Sequence, residues 1–456
     1  MYYDLTRGSI SKSLFFFALP MMAGNLLQQF YNIADTLIVG RVLGKNALAA
    51  VGSVYTLMTF LTSVFLGLSM GAGALFSIYL GKKKMENLRS AVYHAFLLIM
   101  IVTILLNGVV YLFLNPILAF LRVPAEVWNP MKDYLLIILG GLIATSLYNF
   151  FACMLRALGN SAVPLYFLAV SAIINIILDL LFIIGFHWGI RGAAAATITA
   201  QYISAIGITI YVLCRCQNVV TGWGHIQWNR RILKEILNLS TLTCLQQSVM
   251  NFGILMVQGL VNSFGATIMA AFAAAVKIDT FAYLPVQDFG NAFSTFTAQN
   301  YGAGNHSRIR AGIRQAFIMS ISFSIVISLI VFLFAAPLMK IFIVPSEHAV
   351  IAAGVQYLRI EGSFYCGIGC LFLLYGYYRA INRAEMSVVL TVISLGLRVL
   401  LAYILSGVIG VTGIWIAIPI GWLLADAVGL LYMKKNSKLN LKSVDIFFHA
   451  IKEKTP

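Results

Sequence analysis

The sequence predicts an all-α polytopic membrane protein with 12 transmembrane helices in two six-helix lobes. A pseudo-two-fold axis along the membrane normal is expected to relate the lobes. Three observations predict this: the composition, the length of the apolar blocks, and an internal repeat. The chain has 456 residues, 61% hydrophobic and only 10% charged, with a mean hydropathy of +0.91. Soluble domains carry about 45–50% apolar and about 25% charged residues, so most of this chain faces lipid or packs on lipid-facing helices.

Twelve spans are expected, at about 14–40, 47–80, 91–114, 132–155, 163–186, 190–214, 241–263, 268–299, 312–336, 354–378, 387–409 and 412–433. Each block reaches the roughly 20 residues that a helix needs to cross a bilayer. A membrane barrel needs alternating segments of about ten residues, and these blocks do not alternate. The first block, from about Leu14, is not read as a signal peptide. It has no small-residue cleavage site and runs straight into further spans.

The repeat sets the lobes. "LGKNALAA" (43–50) is echoed by "FGATIMAA" (264–271). "YLGKKKMENLRSA" (79–91) is echoed by "NYGAGNHSRIRAG" (300–312) at the same offset. Pro116 and Pro124 pair with Pro337 and Pro345 at that offset, and Arg156-Ala157 with Arg379-Ala380 at nearly the same one. Six spans per half is an even number, so both halves enter the membrane in the same sense, with a cavity between them. Repeats of this kind are typical of transporters. The expected divisions are an N-terminal lobe at 1–214, a cytoplasmic interlobe linker at 215–240, a C-terminal lobe at 241–434 and a basic tail at 435–456.

The net charge of +16 does not imply nucleic acid, because of where it lies. Twenty-two basic residues fall on the tails and even-numbered connections, against six on the opposite side. The positive-inside rule then puts both termini in the cytoplasm of a plasma or inner-membrane protein. Two basic amphipathic pieces are expected on the membrane surface: 228–239, with Ile232, Leu233, Ile236 and Leu237 on one face, and the tail, with Leu441, Val444, Phe447, Phe448 and Ile451. The six cysteines lack zinc-site spacing and read as small buried hydrophobes.

Polar residues inside the spans carry the function. In span 1, Asn25, Gln28, Asn32 and Asp35 are spaced 3, 4 and 3 and share a helix face. Pro20, upstream, makes this helix a candidate for bending. Span 5 carries Asn175 and Asp179 one turn apart, span 6 carries Thr197, Thr199 and Gln201, and span 4 carries Asn149. A charged side chain at mid-bilayer costs roughly 2.5–3.5 kcal/mol on insertion scales, so such acids are kept for function. Hard oxygen ligands in this number suit Na⁺ or a proton. Two carboxylates in a partly dry site resist being charged together, so one holds a proton or a cation. At the repeat offset Asp35 falls on Met256, and Asn175 and Asp179 fall on Arg398 and Ala402. This asymmetry points to one coupling site, in the first lobe. In the second half, Gln246, Gln247 and Asn251 are expected to line the cavity wall, and Glu361 to pair with Arg398 as an interior ion pair.

Enzyme signals are poor. "GLSMG" (67–71) sits inside an apolar helix rather than at a strand-to-helix turn, and reads as small-residue packing. No P-loop is present.

The chain resembles the multidrug and toxic-compound extrusion (MATE) family along nearly its whole length. The resemblance rests on "ALPMMAGNLLQQFYNIADTLIVGRVLG" (18–44), "ALAAVG" (47–52), "LRALGNSAVP" (155–164) and "FTAQNYGAGN" (296–305). It implies two six-helix lobes around a V-shaped cavity and efflux driven by a cation gradient. In the prokaryotic branch with an acidic first lobe, the coupling residues correspond to Asp35, Asn175, Asp179 and Thr197, which are also the metal ligands if Na⁺ is used. Pro20, Gln28, Tyr31, Asn32 and Asn149 correspond to, or flank, the first-lobe substrate chamber. The helix-10 Tyr and Asp of the branch with a second-lobe Na⁺ site align with Phe364 and Ile368, so that site is expected to be absent. No cofactor is expected beyond H⁺ or Na⁺ as coupling ion. The expected partners are drug-like small molecules and membrane lipids, with no nucleic acid, and the protein is expected to act as a monomer. The alternative is a lipid-linked oligosaccharide flippase of the same superfamily. That reading needs a cavity rich in arginine, and the first-half cavity carries none.

Overall fold

The computed structural model describes residues 4–120, 125–220 and 228–435. The described residues form helices and no strand. The helices are α1 (Ile10–Leu43), α2 (Lys45–Gly81), α3 (Met85–Leu112), α4 (Leu114–Phe120), α5 (Ala125–Ile138), α6 (Leu142–Ala157), α7 (Ala162–Asp179), α8 (Gly189–Arg215), α9 (Gln217–Val220), α10 (Arg230–Asn262), α11 (Ala266–Gly302), α12 (His306–Phe342), α13 (His348–Gly362), α14 (Tyr365–Ala380), α15 (Ala384–Ile409) and α16 (Val411–Lys435). Among the described residues, 11 helices are long and apolar enough to cross a membrane, or 12 if the bent pair α13 and α14 is one span. Their outer faces keep large apolar side chains uncovered, such as Ile104, Leu105, Ile177, Leu333 and Val408. That is what a lipid solvent requires of a helix surface.

At least three spans are not the uninterrupted helices expected, the ninth among them, where α12 kinks at Phe334 (φ −101°, ψ 16°). The fourth joins α5 and α6 through a 3-10 turn at Leu139–Gly141. The tenth bends by 51° between α13 and α14, where Phe364 leaves helical dihedrals. Neither of these last two breaks contains proline, so apolar patterning alone could not locate it. The two breaks, at 139–141 and 362–364, stand in the same register that pairs Arg156 with Arg379.

The repeat is written in the backbone as well. Left-handed residues recur in register: Gly44 with Gly265, Lys83 with Gly304, Gly159 with Asn382, and Gly189 with Gly410. Gly44 (φ 82°) and Gly265 (φ 92°) precede α2 and α11. A side chain there would be strained, which explains why both positions hold glycine. One feature is not repeated. A π-helical turn at Leu180–Gly185 follows Asp179 directly, whereas α15 runs on unbroken.

The helices form two compact units, one built on Leu19–Cys244 and the other on Asp4–Ala18 with the residues from Leu245 onward. The start of α1 therefore belongs with the second half, and the division falls beside Pro20. Within the second unit, Arg308 donates to the carbonyls of Leu5 (3.2 Å), Gly8 (2.7 Å) and Arg7 (2.6 Å). Asn300 donates to Leu5 O at 3.1 Å, and Ser11 to Gln315 at 2.7 Å. Despite Pro20, α1 is one continuous helix. The proline removes one backbone donor without breaking it.

The piece expected on the membrane surface at 228–239 is the first part of α10, continuous with span 7. Ile232, Ile236 and Leu239 are buried in the first unit. The reason lies in "GLSMG". A Cβ on Gly67 would stand 2.5 Å from Cys244 Cα, and one on Gly71 would stand 2.5 Å from Ser240 Cα. Only glycine lets α10 lie this close to α2. Ser240 Oγ then donates to Leu68 O at 2.9 Å, and the Tyr79 hydroxyl to Glu235 at 2.6 Å. The amphipathic reading of the tail falls on residues 436–456, outside the described residues.

Candidate functional site

The first unit gathers the acidic residues of separate helices. Asp35 comes from α1, Asn175 and Asp179 from the last turns of α7, and Thr197 from α8. The Asp35 and Asp179 carboxyls face each other closely enough to interact directly. Two ionised carboxylates cannot hold that approach without a proton or cation between them. Asn175 Nδ2 donates to Thr197 Oγ1 at 3.3 Å, and Thr197 Oγ1 donates to Ala193 O at 3.0 Å. Asn175 and Asp179 are buried, the latter completely. Among the described residues, no protein donor gives a hydrogen bond to Asp35 Oδ1, Asn175 Oδ1 or either carboxylate oxygen of Asp179. Buried oxygens without donors are costly unless something positive satisfies them. Oxygen donors of this kind suit a proton or a hard monovalent cation. No cluster of three His, Cys, Asp or Glu that could hold a metal occurs among the described residues, so a cation here would rely on Asn and Thr oxygens as well.

Two tyrosines complete the surroundings. Tyr31 lies near Asp35 and Asp179. Tyr134 of α5 lies near Asp35, Tyr31, Asp179 and Thr197. The sequence does not single out Tyr134. It sits in "DYLLIILG", where a lone aromatic reads as core.

Beside the acids lies a cavity of about 100 Å³, wholly within the first unit. Gln28 and Tyr31 of α1, Asn149 of α6, Asn175 of α7, and Thr197 and Gln201 of α8 line it. The cavity and the acidic cluster thus share Tyr31, Asn175 and Thr197. Drug-sized pockets run to roughly 300–1,000 Å³, so a substrate of that size requires this unit to open further. Asn149 Nδ2 is spent on Thr145 O at 2.8 Å, which leaves its carbonyl oxygen available.

The remaining predicted residues lie elsewhere. Asn32 and Pro20 are on α1 but do not line this cavity. Gln246, Gln247 and Asn251 belong to the second unit. Gln246 and Gln247 are buried there, and Asn251 Nδ2 donates to Gln247 O at 3.2 Å. Phe364 stands at the break between α13 and α14.

Comparison with known proteins agrees with this architecture. The MatE family model matches residues 20–181 and 242–404, one segment in each half. A "Probable multidrug resistance protein YpnP" of Bacillus subtilis (strain 168) is 32% identical over 434 residues, 95% of this chain and 96% of its own. A "Probable multidrug resistance protein NorM" of Thermotoga maritima is 27% identical over 416 residues, 89% of this chain and 88% of its own. Among solved structures, an outward-facing multidrug resistance MATE family transporter of the MOP superfamily superposes with a TM-score of 0.90. It is 24% identical and covers 96% of this chain and 98% of that one; at that identity the likeness speaks to the fold. With the family model on both halves and so similar a relative along nearly the full length, the chain belongs to the MATE family of multidrug-efflux transporters.

Proposed function

We propose that the protein is an antiporter that exports drug-like, often cationic or amphipathic compounds in exchange for H⁺ or Na⁺. The observation that carries this reading is the shared wall. Tyr31, Asn175 and Thr197 touch both the acidic cluster and the cavity. Charge on Asp35 and Asp179 is therefore felt by whatever occupies the cavity, and an occupant alters what the acids bind.

In the outward-facing state Asp35 and Asp179 take up a proton or Na⁺. Their repulsion falls, α1 shifts against α7, and the substrate leaves. In the inward-facing state the cation is released and the cavity accepts substrate again. Each inward elementary charge gains about 2.3 kcal/mol per 100 mV of membrane potential, so one cation per cycle drives a modest uphill export. We read the protein as a monomer in the cell membrane, with both termini cytoplasmic on the basic-residue bias and no cofactor beyond the coupling ion.

The test is transport in proteoliposomes with H⁺ and Na⁺ gradients imposed separately, across a panel of cationic dyes. Uphill dye movement under at least one gradient is expected. Dye movement that only ever runs downhill under both would overturn the reading.

A further inference from the structure

The second unit holds a buried charged cluster that the first-unit site does not use. Asp279 of α11, Glu361 of α13 and Arg398 of α15 are electrostatic neighbours. They are 6%, 3% and 8% exposed. The sequence predicts a simple Glu361–Arg398 ion pair. Instead, two carboxylates surround one guanidinium, and no direct ion pair closes at Arg398 among the described residues. Asp279 Oδ1, Glu361 Oε2, Arg398 Nε and Trp415 Nε1 are all buried without a hydrogen-bond partner among the described residues. Tyr357 lies beside both carboxyls and is edge-on, at 4.9 Å, to Trp415, which stacks on Phe272 at 5.4 Å.

Charge counting decides what such a cluster holds. One guanidinium carries a single positive charge, so it compensates one carboxylate and leaves a second. A buried, uncompensated carboxylate is strongly disfavoured and takes up a proton instead. A metal cation is disfavoured by the guanidinium beside it. The titratable and charged groups facing the pair are Tyr357 and Glu361 from α13, Tyr365 from α14, Arg398 from α15 and Asp279 itself from α11. From α16 the group packed on Tyr357 is Trp415, which does not titrate. The repeat adds an independent pointer. In the register that pairs Arg156 with Arg379, Tyr357 and Arg398 are the counterparts of Tyr134 and Asn175, two members of the first-unit site.

We infer that Asp279 and Glu361, counter-charged by Arg398, form a second proton-exchange site, in the second half of the molecule. When the site is closed one carboxyl keeps its O–H. When water reaches it, that proton passes to water and leaves the carboxylate. The site is distinct from Asp35 and Asp179 and stands or falls without them.

The test uses purified full-length protein carrying Asp35→Asn and Asp179→Asn, followed by infrared pH-difference spectroscopy of the carboxylic-acid C=O stretch. A pH-dependent acid signal is expected to remain in this background. Adding either Glu361→Gln or Asp279→Asn is expected to remove the component that this pair contributes. A difference spectrum unchanged by both additions overturns the inference. If both added variants fail to fold, dicyclohexylcarbodiimide labelling of the wild-type protein with peptide mass mapping decides. An adduct on Asp279 or Glu361 that is lost as pH rises supports the site. Absence of an adduct on both, under conditions that label Asp35 or Asp179, overturns it.

Discussion

Asn175 donates from Nδ2 to the hydroxyl of Thr197 across 3.3 Å, tying α7 to α8 beside two acidic residues. The bond occupies the Asn175 Nδ2. With Nδ2 committed to Thr197, the buried Oδ1 is the atom left for a cation.

Thr197→Val keeps the shape and removes the acceptor. Losing one net hydrogen bond between neutral groups is worth about 0.5–1.5 kcal/mol, or roughly 2–12-fold in binding. The apparent affinity for the coupling cation is expected to weaken by that factor. Transport rate against pH and against Na⁺ concentration checks this.

Tyr134→Phe tests a residue that lies near Asp35, Asp179 and Thr197. Only a hydroxyl is lost, so the ring still packs. About a tenfold loss in cation affinity is expected, on the scale of one net hydrogen bond of about 1 kcal/mol or slightly more. Expression and thermal midpoint are expected to match the wild type.

Gly71→Ala tests the approach of α10 to α2. Its Cβ would meet Ser240 Cα at 2.5 Å, and backbone cannot swing aside. Overpacking of this kind costs about 1–3 kcal/mol, so the thermal midpoint is expected to fall. Gly108→Ala is the control. It meets nothing within 4 Å, and replacing a helical glycine there is expected to be neutral or stabilising by about 0.5–1 kcal/mol.

The spans, the two halves and the acids of the first half are legible in the sequence. Each rests on a large energetic penalty that leaves a mark in composition: lipid excludes polar residues, and the few retained ones stand out. The repeat is legible in glycines and prolines, and the paired left-handed residues Gly44 and Gly265 give its backbone cause. The seat of residues 228–239 is not legible in their pattern, because a basic amphipathic face suits either a lipid headgroup layer or a protein groove. The groove is encoded elsewhere, in Gly67 and Gly71. Tyr134 is invisible because a buried aromatic costs nothing in a membrane span. Asp279 and Glu361 are visible singly but not as neighbours, since α11 and α13 meet only in the fold.

Arg308→Ala tests the anchoring of the N-terminal segment. The side chain serves three backbone carbonyls, of Leu5, Arg7 and Gly8. Charge-assisted bonds contribute about 1.5–3 kcal/mol each at most, and less where exposed. Amide hydrogen exchange across residues 4–18 is expected to speed up at least tenfold, with exchange in α7 and α8 unchanged. Equal exchange in both proteins would show that Leu5 burial and the Asn300 and Ser11 bonds hold the segment without Arg308.

Coupling of a cation to export rests on Asp35 and Asp179. The most direct measurement is uphill dye transport by an Asp35→Asn/Asp179→Asn protein in proteoliposomes, under whichever gradient drives the wild type. Folded, monodisperse protein that accumulates no dye against its gradient is expected. Accumulation at the wild-type level would contradict coupling at this pair.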